Sequence, residues 1–343
     1  MSERKLKVGM VGAGGFGAHR RMCMRDTGLF ELASTYDRNP DAMEAALRED
    51  GAAISASFEA MLATPGIEAV IVSSGARFHA GQAIAAMERG LHVFIEKPLA
   101  SSMEDVRAIL AMQQQTGLVV ACGHHDHSAD AYSRTVKQKI QAGELGKIVA
   151  FEATSAHTGG FHIHPGDWRG SREHNPGGML FQCGVHKLHE LAYYFGPVRR
   201  IRAVMRYDLH TTETADVAFC QVEFMNGLVG SLNTYHITPS LQSTVIIGTK
   251  AAIFKDDRPW PGEHGQWIQR VPCALDGSIE ARVPLDLDGE TDPYGNLRSF
   301  HRAVVQGGVP YPSAVDGARA LAPVFAAEES TRTGNWVDVE AFG

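Results

Sequence analysis

The chain is short of several things that particular protein classes require. Its 343 residues include five cysteines, an odd number scattered at Cys23, Cys122, Cys183, Cys220 and Cys273 with no C-x-x-C spacing. That pattern supports neither a disulfide frame nor a thiolate metal site, and the thiols are expected to be reduced. No apolar run approaches the roughly 18 residues of a membrane span. The polar start, Met1 to Lys7, passes straight into a short apolar strand without a signal-peptide core. A cytoplasmic protein with no membrane contact is expected. Lys and Arg number 32 against 39 Asp and Glu, for a net charge of −7. The clustered cations that neutralise phosphates are therefore missing, and nucleic acid is a poor fit as partner. Small molecules suit this composition better.

What is present points to two domains. The length exceeds one ordinary core, and 44% hydrophobic with 21% charged residues is typical of globular chains. Leu6 to Val11 is a short apolar run ending in Gly12-Ala13-Gly14-Gly15-Phe16-Gly17, and a segment able to be helical follows from Ala18 to Asp26. This is G-x-G-x-x-G between strand and helix, where Gly12, Gly14 and Gly17 serve a tight turn, close approach of a pyrophosphate and helix-on-strand packing. Gly15, Phe16 and Gly17 lie in the turn just ahead of the helix whose N-terminal N–H groups would hold the anion. The next strand, Phe30 to Tyr36, ends at Asp37, twenty positions past Gly17. A carboxylate there can bind the adenosine ribose diol. It would repel a 2′-phosphate and so favours NAD over NADP, although Arg38 beside it could attract that phosphate or stack on adenine.

Strand and helix signals go on alternating: Ala52 to Ser55, Ser57 to Ala63, Ile67 to Ser73, Phe78 to Arg89, the run His92-Val93-Phe94-Ile95, Met103 to Gln115 and Leu118 to Cys122. The alternation predicts a parallel, Rossmann-type α/β domain over residues 1–123. Glu96-Lys97-Pro98 follows the His92–Ile95 strand, placing Lys97 at a carboxyl end, where such sheets bind ligands. From 124 to 343 the pattern changes to an α+β domain. Asp130 to Gln141 reads as a helix. Strand-like runs at 147–155, 199–207, 215–224, 228–236 and 244–248, with an Asn226-Gly227 turn, predict a large, mostly antiparallel open sheet. One face would pack on helices and the other could pair with a second subunit as a homodimer or homotetramer. A helix from about Gly178 to Phe195 carries an apolar stripe of Phe181, Val185, Leu188, Ala192 and Phe195, and a polar stripe of Gln182, His186, His189 and Tyr193 one position on.

V-G-A-G-G-F-G, the carboxylate of Asp37, His79 opening a helix, G-L-H-V-F-I-E-K-P-L-A, G-E-L-G-K-I and the closing stretch from Tyr311 to Val339 together resemble the glucose-fructose oxidoreductase, inositol dehydrogenase and rhizopine-catabolism (Gfo/Idh/MocA) family of NAD(P)-dependent dehydrogenases. The resemblance implies a closing helix and strand, about 313–340, that can pack back near the first domain. It also implies cofactor contacts from Ser73, Ser74, His79, Glu96 and Lys97. G-G-M-L-F-Q-C-G-V-H resembles the family's G-G-x-L-x-D-x-G-x-H, whose histidine is the acid/base, and so assigns catalysis to His186 with Lys97. Three departures stand out: Ser74-Gly75-Ala76 replaces the usual Thr-Pro-Asn, Gln182 replaces an aspartate, and His189 stands where a second aspartate is frequent. An amide can hydrogen-bond a substrate but cannot hold a proton. Gln182, Trp168, Arg169, His125 and His127 are expected at the substrate. His124, Asp126, His157, His162 and His164 cluster nearby; the family reaction needs no metal, and none is expected.

The expected activity is NAD-dependent oxidation of a secondary hydroxyl on a sugar, glycoside or cyclitol. Two alternatives share the architecture. One is a glycoside-cleaving or 3-keto-sugar-forming enzyme with tightly bound NAD, and the other a non-catalytic NAD-binding regulator of sugar operons.

Overall fold

The computed structural model describes residues 4–209, 212–256, 265–270 and 282–343. Cys273 lies outside them, and the other four cysteines are free thiols. The chain forms two compact units, Met1–Asp126 with Asp292–Ala318, and His127–Thr291 with Arg319–Gly343.

In the first unit, β1 (Leu6–Val11), α1 (Phe16–Thr27), β2 (Phe30–Tyr36), α2 (Pro40–Asp50), β3 (Ala53–Ile54), α3 (Phe58–Leu62), β4 (Ala69–Val72), α4 (Ala76–Glu88), β5 (His92–Ile95), α5 (Met103–Thr116) and β6 (Val120–Cys122) follow one another. The strands make a six-stranded sheet in the order β3-β2-β1-β4-β5-β6, parallel throughout. Chain direction across the sheet reverses between β1 and β4, and the crevice at their carboxyl ends is the ligand position of such folds. Val70, Ile71 and Val72 on β4, and Val93, Phe94 and Ile95 on β5, are completely buried, as continuous apolar runs covered on both faces require. Local chemistry sets the helix ends. The Asn39 side chain caps α2 ahead of Pro40, and the Ser102 hydroxyl caps α5 through Asp105 N.

The second unit contains α6 (Ala131–Gln141), β7 (Ile148–Ala156), α7 (Val185–Phe195), β8 (Val198–Arg206), β9 (Val217–Phe224), β10 (Val229–Tyr235), β11 (Leu241–Gly248), β12 (Ala251–Asp256), β13 (Gly265–Arg270) and β14 (Val283–Pro284). After α8 (Gly295–Gln306), which belongs to the first unit, α9 (Ala314–Thr333) leads to β15 (Val337–Asp338). Among the described residues the sheet has nine strands in the order β14-β13-β12-β11-β7-β10-β9-β8-β15. It is antiparallel except where β7 and β10 run parallel.

One expectation is corrected within this unit. The helix predicted from about Gly178 is not a single α-helix. Leu180–Gly184 is a π-helical turn, in which Val185 N–H reaches the Leu180 carbonyl, and α7 proper starts at Val185. Close packing accompanies the widened turn: a Cβ on Gly184 would stand 2.6 Å from Leu180 Cδ1 and 3.0 Å from Thr234 Cγ2. Gln182 and His186 therefore lie on opposite sides of a register change, and the even polar stripe breaks between them.

Residues Asp292–Ala318 complete the first unit from far along the chain. Leu297 and Phe300 of α8 are fully buried in the core around β1, β4 and β5, and the Phe300 ring meets Phe94 edge-on at 5.6 Å. Truncating Phe300 removes that contact and leaves a cavity. Phe300→Ala is expected to destabilise the first unit by about 3–5 kcal/mol. In hydrogen exchange, β5 and β6 should lose protection while β8 and β9 keep theirs; equal loss in both sheets would contradict the packing described.

Candidate active site

The loops at the carboxyl ends of β1, β2, β4 and β5 hold most of the chemistry of the first unit. Gly12 lies so close to the β4 loop that a Cβ on it would stand 2.5 Å from the Ser73 carbonyl carbon, and its φ is +84°. A Cβ on Gly17 would stand 2.0 Å from the Gly12 oxygen. Both positions demand glycine. Gly15 precedes α1 without a side-chain cap, and the space where its Cβ would point is open. The exposed start of the helix thus offers uncapped N–H groups to an anion. Asp37 is half-buried, and its Oδ2 accepts from Ala13 N at 2.7 Å and Gly14 N at 3.1 Å, while Oδ1 accepts from Asn39 N at 2.8 Å. It braces the glycine loop against the end of β2. Arg38 and Phe16 are exposed at the same edge. Ser73 Oγ is buried without a hydrogen-bond partner. The open loop, the uncapped helix start and this unsatisfied hydroxyl together fit a dinucleotide.

Lys97 is half-buried just past β5, followed by a cis peptide bond to Pro98. Two neighbours shape its loop. His79, in the first turn of α4 and fully buried, has Nδ1 2.9 Å from the Pro98 carbonyl and Nε2 3.0 Å from the Ser74 carbonyl. Burial pushes its pKa down, opposed by the two carbonyls and by the charge of Glu96. The Glu96 carboxylate turns inward to a buried ion pair with Arg20 of α1. Arg20 lies over the Phe94 ring at 4.8 Å and bonds Asn296 of α8 at 3.5 Å, and Asn296 in turn donates to the His124 carbonyl. The other Glu96 oxygen is buried without a partner, against Gly123, where a Cβ would stand 2.6 Å from it. Arg20 and Asn296 are not evident from the sequence, since only tertiary folding gives either a partner. His125 is exposed after β6.

In the second unit, α7 carries His186, half-buried, with His189 and Tyr193 on the same side of the helix. His127 is buried and packs its ring on His189 at 5.0 Å and on Tyr193 at 5.7 Å. A buried ion pair anchors the helix: Lys187 Nζ donates to Glu190 Oε2 at 3.0 Å and to Thr244 Oγ1 at 2.8 Å, and Tyr194 bonds Glu190 Oε1. Burial alone would raise the Glu190 pKa, but the charges of Lys187 and Lys255 with the bonds from Lys187 and Tyr194 outweigh it and hold the carboxyl below its usual range. Gln182 and Cys183 sit in the π-helical turn, where Cys183 Sγ is 3.2 Å from His157 Nε2. Trp168 is 45% exposed on the short 3₁₀ turn Trp168–Gly170, with the Arg169 guanidinium over its ring at 4.5 Å. Among the described residues, no three His, Cys, Asp or Glu side chains gather closely enough to hold a metal ion, and no helix is long and apolar enough to cross a membrane.

A parallel sheet with a glycine loop at its reversal point, an acidic residue ending β2 and a lysine ending β5 defines a dinucleotide-dependent oxidoreductase. Residues 6–124 match the oxidoreductase family with an NAD-binding Rossmann fold, and residues 133–254 match the Gfo/Idh/MocA C-terminal domain. The chain belongs to the Gfo/Idh/MocA family of NAD-binding oxidoreductases. It is 25% identical over 287 residues to the 1,5-anhydro-D-fructose reductase of Ensifer adhaerens, covering 83% of each chain. It is 23% identical to the levoglucosan dehydrogenase of Pseudarthrobacter phenanthrenivorans over 98% of both chains. A solved structure of an oxidoreductase from Desulfitobacterium hafniense, described as NADPH-dependent, superposes with a TM-score of 0.89 at 26% identity, over 98% of each chain.

The Arg20–Glu96 pair makes a direct prediction. Glu96→Leu leaves a buried guanidinium uncompensated and is expected to cost about 3–5 kcal/mol. Arg20→Met combined with Glu96→Leu should cost clearly less than the sum of the two single changes. Urea unfolding of the four proteins measures the cycle, and simple additivity would mean that the two side chains act independently.

Proposed function

We propose that this protein oxidises a secondary hydroxyl of a sugar, glycoside or cyclitol by hydride transfer to NAD, with His186 as acid/base and Lys97 as hydrogen-bonding partner of the reacting oxygen. The observation that carries the proposal is the loop after β5. Lys97 is held at the carboxyl end of a strand in an NAD-binding sheet, between a histidine on two backbone carbonyls and a glutamate locked to Arg20. The names of the relatives, a reductase of an anhydro sugar and a dehydrogenase of levoglucosan, favour a carbohydrate substrate.

NAD, when bound, supplies the hydride acceptor. The remaining steps belong to the chain. His186 takes the hydroxyl proton as the carbon–hydrogen bond gives up its hydride, so the alcohol becomes a ketone and the imidazole an imidazolium. Lys97 donates a hydrogen bond to the same oxygen and stabilises the alkoxide character that develops. Gln182 hydrogen-bonds the substrate without sharing the proton. Asp37 favours NAD over NADP, because a 2′-phosphate would meet its charge.

A homo-oligomer built through the nine-stranded sheet is part of the same reading. Val204 of β8 and Phe219 of β9 are directly paired across the strands and are 61% and 47% exposed, with Tyr235 of β10 beside Phe219 at 5.7 Å. Apolar side chains exposed side by side on a sheet face suit burial against a second copy. Val204→Asp combined with Phe219→Glu is expected to lower the mass seen by light scattering; an unchanged mass would move the contact elsewhere.

Absorbance of reduced nicotinamide, followed over a panel of sugars, anhydro sugars and inositols, tests the reaction. With an active substrate in hand, Lys97→Met and His186→Phe should each lower kcat by roughly 10²–10⁴-fold, while NADH binding, read by fluorescence, stays within a few-fold in His186→Phe. Full turnover in both variants, or none on any polyol in the wild type, would count against the proposal.

A further inference from the structure

Arg21 of α1 is buried, and its guanidinium donates in two directions. Nη1 lies 3.3 Å from Glu49 Oε2 and pairs with Asp50 at the end of α2, an ion cluster that Arg25 joins from the same helix. Nε carries one hydrogen and donates it to the Ala13 carbonyl at 3.3 Å, inside the glycine loop. The other side of the same peptide is held as well, because the Gly14 N–H reaches Asp37 Oδ2 at 3.1 Å. The Ala13–Gly14 bond is trans, so its C=O and N–H point opposite ways. A residue of α1 on one side and the residue after β2 on the other therefore grip a single peptide plane. Reversing that plane would set the Ala13 oxygen against the Asp37 carboxylate and the Gly14 N–H against a guanidinium, two repulsions in place of two bonds. Downstream, the Gly17 N–H turns back to the Gly14 oxygen at 2.8 Å and the Ala18 N–H to the Gly15 oxygen at 3.2 Å. The orientation of the plane is thus passed on to the first turn of α1.

We propose that Arg21 is a positioning residue of the cofactor site: with Asp37 it clamps the Ala13–Gly14 peptide from both sides and sets the glycine loop for a dinucleotide before one arrives. A loop already in its bound shape loses less conformational freedom on binding, and affinity gains by that amount. Arg21 acts through the backbone and needs no contact with the ligand. Its two functions use different atoms, since the ion cluster needs the charge at Nη1 and the clamp needs one N–H at Nε. The inference rests on the NAD-binding half of the dehydrogenase reading and not on the polyol chemistry, so binding alone tests it.

Two replacements of similar size separate those functions. Arg21→Gln places an uncharged amide nitrogen, with its N–H, on Cδ where Nε stands, and Arg21→Met brings only a methyl group to that place. Both abolish the ion pair with Asp50, so both should lower the urea midpoint of the full chain to a similar extent. Arg21→Met should raise the NADH Kd, read by fluorescence titration, roughly tenfold through loss of one charge-assisted hydrogen bond. Arg21→Gln should regain most of that affinity. Arg25→Met, which removes a member of the ion cluster that does not touch the loop, should leave Kd within about twofold. If the stranded Asp50 carboxylate unfolds either Arg21 variant, the same pair is compared in an Asp50→Asn background. Equal Kd values for Arg21→Gln and Arg21→Met, whether raised or unchanged, would overturn the clamp and leave Arg21 to the ion cluster alone. A wild-type chain that failed to bind NADH would instead strike the NAD reading. Amide exchange in the ligand-free chain would then still decide the clamp: Gly14 should exchange faster in Arg21→Met than in Arg21→Gln while β1 keeps its protection, and equal exchange would overturn it.

Discussion

A guanidinium and a carboxylate buried together at the end of β5 govern how the first unit presents its lysine. Arg20 and Glu96 are 5% and 4% exposed, and removing each from water costs several kcal/mol. Their pairing, the Phe94 ring under the guanidinium and the Asn296 amide offset much of that cost. The offset is incomplete, since one Glu96 oxygen has no donor and Gly123 has given up its Cβ to admit it. An apolar pair of the same volume would serve stability at least as well. What the ions add is direction: α1, β5 and α8 are tied at one point, immediately before Lys97.

The second unit uses the same device on its helix. Lys187 and Glu190 are buried within α7, and Thr244 and Tyr194 complete their hydrogen bonds. Rotation of α7 about its axis would strand one of these charges, so the face bearing His186 and His189 is held in place. The helix can therefore carry polar groups on more than one side without a solvent-facing stripe, which is why His189, Lys187, Glu190 and Tyr194 are all buried alongside Leu188 and Leu191.

Parts of this are legible in the sequence because their constraints are local. Gly12 and Gly17 must lack a Cβ for reasons lying within a few residues and one neighbouring strand, and the alternation of buried runs with capped helices leads directly to the parallel sheet. Lys97 after an apolar strand is equally plain. Other features depend on distant partners. Nothing near Asn296 in the sequence indicates that α8 enters the first unit, or that Arg20 is the one of two adjacent arginines to meet Glu96. The π-helical turn at Leu180–Gly184 is hidden by periodicity itself, because spacings of three and four read the same on either side of one added residue. Asp37 shows a third kind of gap: its place after β2 is legible, but not its bonds to Ala13 N and Gly14 N, which make it a brace for the loop as well as a candidate for the ribose.

The histidines show why counting a residue type falls short of assigning roles. Three of them sit among partners that dictate different proton inventories. His157 accepts Gly159 N–H at Nδ1, so its proton lies on Nε2, toward Cys183. His127 faces a serine whose own proton is committed to a carboxylate and must donate from Nδ1. His79 faces a carbonyl at each nitrogen, so whatever protons it carries go to the backbone of the two loops it joins. Its observed bonds therefore join the Ser74 and Pro98 loops to each other. One imidazole thus serves as strut, donor or acceptor according to neighbours that cannot change their own hydrogen-bonding sense, and composition alone leaves all three alike.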